Sequence, residues 1–498
     1  FSFLYFFRSK LLLSVVFSLF AVSSFAQNWA WAHGGGDVGN DVANSTTFDN
    51  NGNSYVTGEF AGRSNFAGTM YQGRGLYEIF IAKYDLQGNV VWLKTAGGRG
   101  NDEGNAIKYF QGFIFVTGFF SDTAWFENTM LICKGQTDAF TAKYDLNGNL
   151  VWVKQGGGVG PDYGSSIDID GGGNVYIAGT YQQAILFDTV QLTTNNLYSE
   201  SFFAKYNGNG NLIWAKSTVG NGANLITGLA YDNHNSIFLT GFFGSNFTVG
   251  NLTVSAATSS YDIFLAKIDE DGNIQWLKRA GSNFEDAAHA VCSDKDGNPS
   301  ITGYFAGTAY FDNHAVTYND YNDIFVAHYD SMGNNLWVRA GKGPQLDVGF
   351  GISVDDNSNI FATGMFETTA NFDGHILTAH GNLDRDIFLV SYGVNGNIRW
   401  ITSAGGSDTD CGLGVSVSNS GEIGICGFYL YTCSFGNIAI DYAQANDLFV
   451  AAYNPPVINS IPESLNDLEV SVYPNPCADN LQVSLPAGST IRLFDSTG

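Results

Sequence analysis

Seven tryptophans recur along the sequence at intervals of 60 to 63 residues, and the residues around each tryptophan recur with it. They are Trp31, Trp92, Trp152, Trp214, Trp276, Trp337 and Trp400. Self-similarity at a fixed period of this length is typical of repeat proteins, in which one supersecondary unit is built many times. The sequence therefore predicts a repeat protein.

One period predicts four short β-strands. The stretch from Trp92 to Val151 contains four strand-length apolar or alternating runs, separated by Gly, Asn and Asp turns. An aromatic content of 15%, 61 glycines and a charged fraction of only 14% suit strands and tight turns better than helices. Seven copies of this unit predict an all-β fold, a seven-bladed β-propeller of four-stranded antiparallel blades over residues 27–453.

The two ends of the repeat region predict how the ring of blades closes. The seventh repeat ends at Tyr453, and Asn454-Pro455-Pro456 follows where its tryptophan strand would be. A tryptophan strand around Trp31 precedes the first complete repeat. We expect this N-terminal strand to complete the last blade and leave no open sheet edge.

The first 26 residues have the pattern of a signal peptide. Arg8 and Lys10 precede an apolar run from Leu11 to Phe25, and small residues stand before the expected cleavage point after Ala26. The run is only about 15 residues, short of the roughly 20 that span a bilayer as a helix. We expect no transmembrane segment in the mature chain, which is then secreted or held at the outer cell surface.

The C-terminal residues carry a second pattern, after a predicted linker over 454–468. Residues 469–498 contain Tyr473, Pro474, Asn475 and Pro476, then a Leu-x-Val strand at 481–483 and a Leu-x-Asp-x-x-Gly turn at 493–498. This segment resembles the type A sorting domain of the type IX secretion system. The resemblance implies a Gram-negative source, export by the type IX secretion machinery, and the start of a small C-terminal β-sandwich domain whose later strands are missing.

The repeats resemble a known family as well. Gly-Asn-x-Tyr-x-Thr-Gly at 52–58 and Asp-x-Phe-x-Ala-Lys-Tyr at 138–144 are similar to the bacterial propeller repeats called SBBP. This resemblance implies the propeller fold and says little about a ligand.

Carboxylates recur in phase with the tryptophans at two positions. Ten residues after each tryptophan stand Asp41, Asp102, Asp162, Asn224, Asp286, Asp347 and Asp410. Fourteen residues before a tryptophan, or at the equivalent place in the last repeat, stand Glu78, Asp138, Glu200, Asp262, Asp323, Asp386 and Asp447. We expect both rings on one face of the propeller, making that face strongly acidic and its carboxylates candidates for a ligand site. They either accept backbone N–H bonds that fix loops or hold Ca²⁺, which prefers oxygen ligands.

Other functional patterns are scarce. The net charge of −25 disfavours nucleic acid as a partner and leaves cations or neutral glycans. The seven histidines share no phase, and neither a nucleophile elbow nor a phosphate-binding Gly loop is present. We therefore assign no catalytic residue and no cofactor, with Ca²⁺ as the sole candidate. The six cysteines lack a disulfide framework, so we expect mostly buried thiols, or one local disulfide among Cys411, Cys426 and Cys433.

Two functions remain open. The first is a non-catalytic binding or scaffold protein that contacts a glycan or surface protein through the long loops before each third strand, such as 121–137 and 244–261. The alternative is an extracellular polysaccharide hydrolase or lyase that uses carboxylates of the acidic face.

Overall fold

The computed structural model describes residues 28–455, except 38, 67, 196–197, 259, 319–320, 382–383 and 441–442, together with 472–473 and 482–483. These residues are all-β and contain no helix, which confirms the all-β part of the predicted fold class. None of them lies in a helix long and apolar enough to cross a membrane. The predicted signal peptide, most of the predicted linker, and Pro474, Asn475 and Pro476 of the sorting motif lie outside the described residues.

Residues Gln27–Pro455 form one compact unit. Its main strands group into four-stranded antiparallel sets, seven among the described residues, and within each set consecutive strands pair. The sets are β2 (Asp41–Phe48), β3 (Ser54–Phe66), β4 (Thr69–Tyr84) and β5 (Val90–Gly98); β6 (Glu103–Phe110), β7 (Phe113–Phe120), β10 (Asp138–Asp145) and β11 (Leu150–Gly158); β12 (Tyr163–Ile169), β13 (Val175–Tyr181), β16 (Glu200–Tyr206) and β17 (Leu212–Ser217); β19 (Asn224–Tyr231), β20 (Ser236–Gly244), β23 (Tyr261–Asp269) and β24 (Ile274–Ala280); β25 (Ala287–Ser293), β26 (Pro299–Phe305), β29 (Asp323–Tyr329) and β30 (Asn335–Lys342); β31 (Val348–Val354), β32 (Ile360–Glu367), β35 (Arg385–Tyr392) and β36 (Ile398–Gly406); and β37 (Cys411–Val417), β38 (Ile423–Tyr429), β41 (Asp447–Asn454) and β1 (Asn28–Gly36).

The last of these sets joins the two ends of the unit. Strand β1 pairs antiparallel with β41, and Trp31 stands opposite Ala452. In the first set Trp92 stands opposite Lys83, five residues after Glu78, just as Ala452 stands five residues after Asp447. The N-terminal strand thus takes the fourth position of its set in the same register as the other tryptophan strands.

The third strand of each set is mostly buried on both faces, apart from the outer part of β4, because neighbouring sets cover it. All seven residues of β16 and of β29 are buried. Burial of their apolar side chains stabilises the fold. In five of the seven sets, Nε1 of the fourth-strand tryptophan then ties its set to the next. Trp92 Nε1 donates to Leu146 O (3.0 Å), and Trp152 Nε1 donates to Gly208 O (3.2 Å) in the corresponding turn of the following set.

A β-hairpin between the second and third strands makes a further tie, here to the preceding set. In the first set the outer parts of β3 and β4 form this hairpin, and its end pairs with Gly35 and Gly36 of β1. The others are β8 (Thr123–Phe126) with β9 (Thr129–Ile132), β14 (Ala184–Phe187) with β15 (Val190–Thr193), β21 (Asn246–Val249) with β22 (Leu252–Ser255), β27 (Thr308–Phe311) with β28 (His314–Thr317), β33 (Thr369–Phe372) with β34 (His375–Thr378), and β39 (Cys433–Phe435) with β40 (Ile438–Ala439). The partners of these six hairpins are β5, β11, β18 (Val219–Gly220), Gly281, β30 and β36.

The first strands of the sets lie around a common axis. Each contacts the first strand of the next set, and β37 contacts β2. Every one of them contains a bulge at its third or fourth residue. Where the bulged side chain is polar, it reaches across to the next first strand. Asn105 Nδ2 donates to Gly164 O (2.8 Å), and Ser165 Oγ donates to Ile226 O (2.7 Å).

Replacement of Trp31 by Ala tests the contribution of β1. Trp31 is 8% exposed and packs in a core cluster with Phe80 and Leu448. We expect the variant to lose about 3–5 kcal/mol of unfolding free energy, the usual loss for a buried tryptophan. Thermal and denaturant unfolding measure it, and Trp125→Ala, which removes a tryptophan that is 40% exposed, is the control. Equal losses in the two variants would contradict the role given to β1.

Candidate functional site

The candidate carboxylates of both rings occupy the strand positions that the sequence predicts, but their exposure differs from the expectation. They were expected to make one face strongly acidic. Instead Asp41, Asp102, Asp138, Asp162, Asp262, Asp286, Asp323, Asp347, Asp386 and Asp410 are 0% exposed, and Glu78, Glu200 and Asp447 are at most 6% exposed. The physical reason is that neighbouring sets meet over these strand starts, so the carboxyl groups lie inside the junctions.

The first ring consists of the residues ten positions after each tryptophan. Hydrogen bonds show what a carboxyl group of this first ring does in a junction. Gly98 N–H, at the end of the preceding set's fourth strand, donates to Asp102 Oδ2 (2.7 Å). Ser121 N–H, at the end of the second strand of Asp102's own set, donates to Oδ1 (3.0 Å). Asp286 repeats the pattern with Ser282 N–H (2.5 Å) and Ala306 N–H (3.0 Å). One carboxyl group therefore fixes two chain segments from neighbouring sets.

In the second ring, the acids fourteen residues before the tryptophans, four carboxyl groups accept an N–H from the segment that precedes them in the chain. Those of Glu200 and Asp323 accept an N–H from a residue that follows the fourth strand. Glu78 Oε2 accepts Arg74 N–H (2.8 Å), and Asp262 Oδ2 accepts Ala257 N–H (2.7 Å) and Arg279 Nε (2.5 Å). A Cβ at Gly157 would lie 1.9 Å from Asp138 Oδ2, so a side chain is excluded there. Consecutive glycines end four of the seven tryptophan strands, and at this junction they are explained by close approach to a buried carboxyl group.

Each junction brings one residue of each ring together. In six of them two carboxyl groups repel, as between Asp41 and Asp447, Asp102 and Glu78, Asp162 and Asp138, Asp286 and Asp262, Asp347 and Asp323, and Asp410 and Asp386. Burial is the main cause that raises the first-ring pKa values, and the paired carboxyl group adds to it. The pKa rises to about 7 for Asp102 and Asp286, to about 8 for Asp41 and Asp162, and to about 9 for Asp347 and Asp410.

The remaining junction has an amide in place of the first-ring acid. Asn224 Nδ2 donates to Glu200 Oε2 (3.2 Å). An amide NH₂ group is a permanent donor, whereas a carboxyl group donates only when protonated. Asn224 therefore supplies at its junction what a protonated aspartic acid would supply at the others.

Neither a metal centre nor a disulfide appears among the described residues. They contain no group of three or more His, Cys, Asp or Glu side chains placed to hold a metal ion. Ca²⁺ binding stays an untested hypothesis. Cys133, Cys292, Cys411, Cys426 and Cys433 are free thiols, so the alternative of a local disulfide among the last three was wrong.

The sequence analysis missed one carboxyl pair that breaks the repeat symmetry. Asn44 Nδ2 donates to Glu59 Oε2 (2.8 Å) and to Glu103 Oε1 (3.2 Å), so these two oxygens lie at most about 6 Å apart. Burial raises the pKa of both glutamates, and Glu103 further raises that of Glu59. Glu59 follows Gly58, and the equivalent position holds Phe119, Thr180, Phe242, Tyr304, Met365 and Phe428 in the other repeats. An alignment of the repeats at this position would have revealed the pair.

Comparison with known proteins gives one relative of similar sequence. No family model matches the chain. An uncharacterized WD repeat-containing protein of Acanthamoeba polyphaga mimivirus is 26% identical over 411 residues, which are 66% of this chain and 29% of that protein. The chain thus spans less than a third of this relative's length. The repeated four-stranded antiparallel sets are typical of a β-propeller fold, and WD repeats are named in the description of this relative.

Solved structures of β-propellers are among the similar ones. The WD40 propeller domain of Doa1 is 12% identical with a TM-score of 0.42, over 86% of this chain and 97% of that one. The Neurospora crassa Pan2 WD40 domain is 10% identical with a TM-score of 0.29, over 64% of this chain and 85% of that one.

The buried carboxyl groups predict a pH dependence of stability. Their folded pKa values lie above the usual 3.8 of Asp, so between these values the folded chain binds more protons than the unfolded chain. Their stabilising contribution is complete below about pH 4 and is lost as the pH rises through about 7 to 9. In the parent, Glu367 N–H donates to Asp347 Oδ1 (2.9 Å). In Asp347→Asn the amide oxygen can still accept this hydrogen bond. Between pH 6 and pH 9 we expect the free energy of unfolding of this variant to fall less than that of the parent. The difference should correspond to the titration of about one proton.

Thermal unfolding across this pH range measures the effect. Asp356→Asn, which changes an exposed residue of the turn between β31 and β32, is the control and should keep the parent's profile. A parent whose stability rises from pH 6 to pH 9, or an Asp347→Asn profile identical to the parent's, would contradict the account.

Proposed function

We propose that the chain is a non-catalytic binding protein built on a closed seven-bladed β-propeller. Each four-stranded set is taken as one blade, and β1 as the strand that closes the ring. The proposal is supported by the pairing of β1 with β41 and by the contact between β37 and β2, which leaves neither end of the series with an unpartnered set. A ring closed in this way is a rigid support for variable surface elements.

The binding surface in this proposal is formed by the hairpins between second and third strands. The observation that carries it is the exposure of Trp125 (40%), Met130 (46%) and Ile132 (59%) on hairpin β8–β9, where Trp125 and Met130 are direct cross-strand neighbours. Large apolar side chains that cluster on a surface often mark an interaction site. The corresponding pair on hairpin β21–β22 is Thr248 with Thr253, so the hairpins differ in apolar character. Hairpins β3–β4, β27–β28 and β33–β34 each expose one or two large apolar side chains, and β8–β9 exposes three.

Binding and turnover assays on one purified sample test this proposal. On an array of glycans and with candidate surface proteins, we expect a ligand whose binding is lost in Trp125→Ser with Met130→Ser, because the apolar contact area is removed. Val151→Ser, which replaces an exposed residue of β11 outside the hairpins, should bind as the parent does. Equal binding by the hairpin variant and the parent would refute the hairpin surface.

A polysaccharide hydrolase or lyase is the second candidate, and the Glu59 and Glu103 pair favours it. Two carboxyl groups near this separation, one of them protonated, are the usual catalytic set of retaining glycosidases. The first-ring and second-ring carboxylates named for this role from the sequence are enclosed in junctions and bonded to backbone. Turnover of a polysaccharide that is abolished by both Glu59→Gln and Glu103→Gln would replace the binding function by this one.

Export is the second part of the proposal. We propose that the chain leaves a Gram-negative cell through the type IX secretion machinery and acts at the outer surface or in the medium. The basic and apolar residues up to Ala26 and the Tyr-Pro-Asn-Pro motif at 473–476 support this route. The SBBP resemblance of the repeats agrees with a bacterial source.

A truncation tests the route. The parent protein carrying its complete C-terminal segment should appear outside the cell, and a variant that ends after Pro455 should remain inside the outer membrane, because it lacks the proposed sorting signal. Fractionation followed by immunoblotting measures both. Appearance of the truncated protein outside the cell would refute the type IX assignment.

A further inference from the structure

A cavity of about 490 Å³ lies along the axis, enclosed by the first strands of the sets. All seven first strands contribute to its lining. Its volume is within the range of small-molecule sites in proteins, roughly 300–1,000 Å³. The fold sets its position on the axis, but the side chains that line it differ from one repeat to the next.

Two charged side chains from neighbouring sets break the symmetry of the cavity wall. Lys108 of β6 and Asp168 of β12 stand six residues after their first-ring carboxylates, and the other sets place Thr47, Ala230, Cys292, Ser353 and Ser416 there. Lys108 Nζ lies 3.0 Å from Asp168 Oδ1. The wall therefore carries one ion pair and is otherwise uncharged at this level.

The partners of the pair show which of the two charges remains available. Asp168 Oδ2 accepts Tyr231 N–H (2.9 Å) and Oδ1 accepts Ile169 N–H (2.9 Å), so the carboxylate is well supplied with donors. The Lys108 side chain is 45% exposed, and Asp168 is the partner that the structure gives it among the described residues. An ammonium group has three donors, so about two remain for a ligand.

Lys108 lines the cavity and its side chain is 45% exposed, so the ammonium group is accessible to a ligand there.

Hydroxyl groups and aromatic rings complete the wall. Ser45 Oγ and Ser166 Oγ accept the N–H groups of Ile107 (3.3 Å) and Leu229 (3.0 Å), which leaves each hydroxyl proton free to donate. Ser416 Oγ is buried and has no hydrogen-bond partner within the described part of the chain. The half-buried rings of Tyr109 and Tyr231 line the cavity as well.

We propose that this axial cavity binds a neutral saccharide unit, with Lys108 as the anchoring donor to its hydroxyl or ring oxygens. A polyhydroxylated ligand offers the acceptors that Lys108 needs, and aromatic rings can cover its apolar face. An anionic ligand is disfavoured, because Asp168 neutralises Lys108 locally and the chain carries a net charge of −25. The proposal is independent of the hairpin surface.

Titration of the purified chain with defined sugars tests it. The neutral probes are glucose, galactose, mannose, xylose, cellobiose and lactose, and glucuronate and glucosamine are charged comparators, followed by calorimetry and saturation-transfer NMR. We expect at least one neutral probe to bind, and Lys108→Met to weaken that binding at least tenfold. Lys295→Met, which removes an exposed lysine in the turn between β25 and β26, should leave it within twofold.

A second variant shows whether a loss of sugar binding comes from the cavity or from misfolding of the chain. Ser353→Phe fills the cavity from another wall and should also abolish binding, with an unfolding temperature near that of the parent. Trp125→Ser should not alter it, which separates this site from the hairpin surface. The proposal is overturned if no neutral probe binds to the folded chain, if Lys108→Met binds as the parent does, or if glucuronate binds more tightly than the neutral probes.

Discussion

Neighbouring sets of strands are held together where a carboxyl group is buried between them. Asp102 accepts N–H groups from Gly98 on one side and Ser121 on the other, and Asp286 makes the same bonds in its own junction. A buried charge without a counter-ion is costly, and the group lowers that cost by keeping its proton. The raised pKa values follow from this, and so does the tolerance of Asn224 in the same position. The hairpin ties between sets lie beside these junctions, and the tryptophan ties lie at the other end of the third strands.

This arrangement separates the parts that hold the propeller together from the parts that can recognise a ligand. A carboxyl group already bonded to two chain segments and closed off from solvent has little left for a substrate. Recognition is left to the places where the repeats differ from one another. These are the exposed apolar side chains of hairpin β8–β9, the Glu59 and Glu103 pair, and the ion pair of Lys108 with Asp168 in the axial cavity.

Much of the fold could be predicted because its signals are local and repeated. The interval between tryptophans gives the unit, and alternation within the unit gives strands that the structure contains. The depth of the carboxyl groups could not be predicted from spacing, because phase fixes a place along a strand and not what covers it. Asp138 became a surface candidate for that reason, although Gly157 lies directly over it. The Lys108 and Asp168 pair was missed since its members are 60 residues apart and meet only when two first strands lie side by side.

Protonation of the junction carboxyl groups near neutral pH is the property of the folded chain from which the pH dependence follows. Infrared spectroscopy distinguishes the C=O stretch of a carboxylic acid from the bands of a carboxylate. At pH 6 to 7 the folded chain should show an acid band that disappears on unfolding and that decreases in Asp347→Asn, because an unfolded Asp with its pKa near 3.8 is ionised at this pH. A folded chain without any acid band at pH 6 would contradict the account.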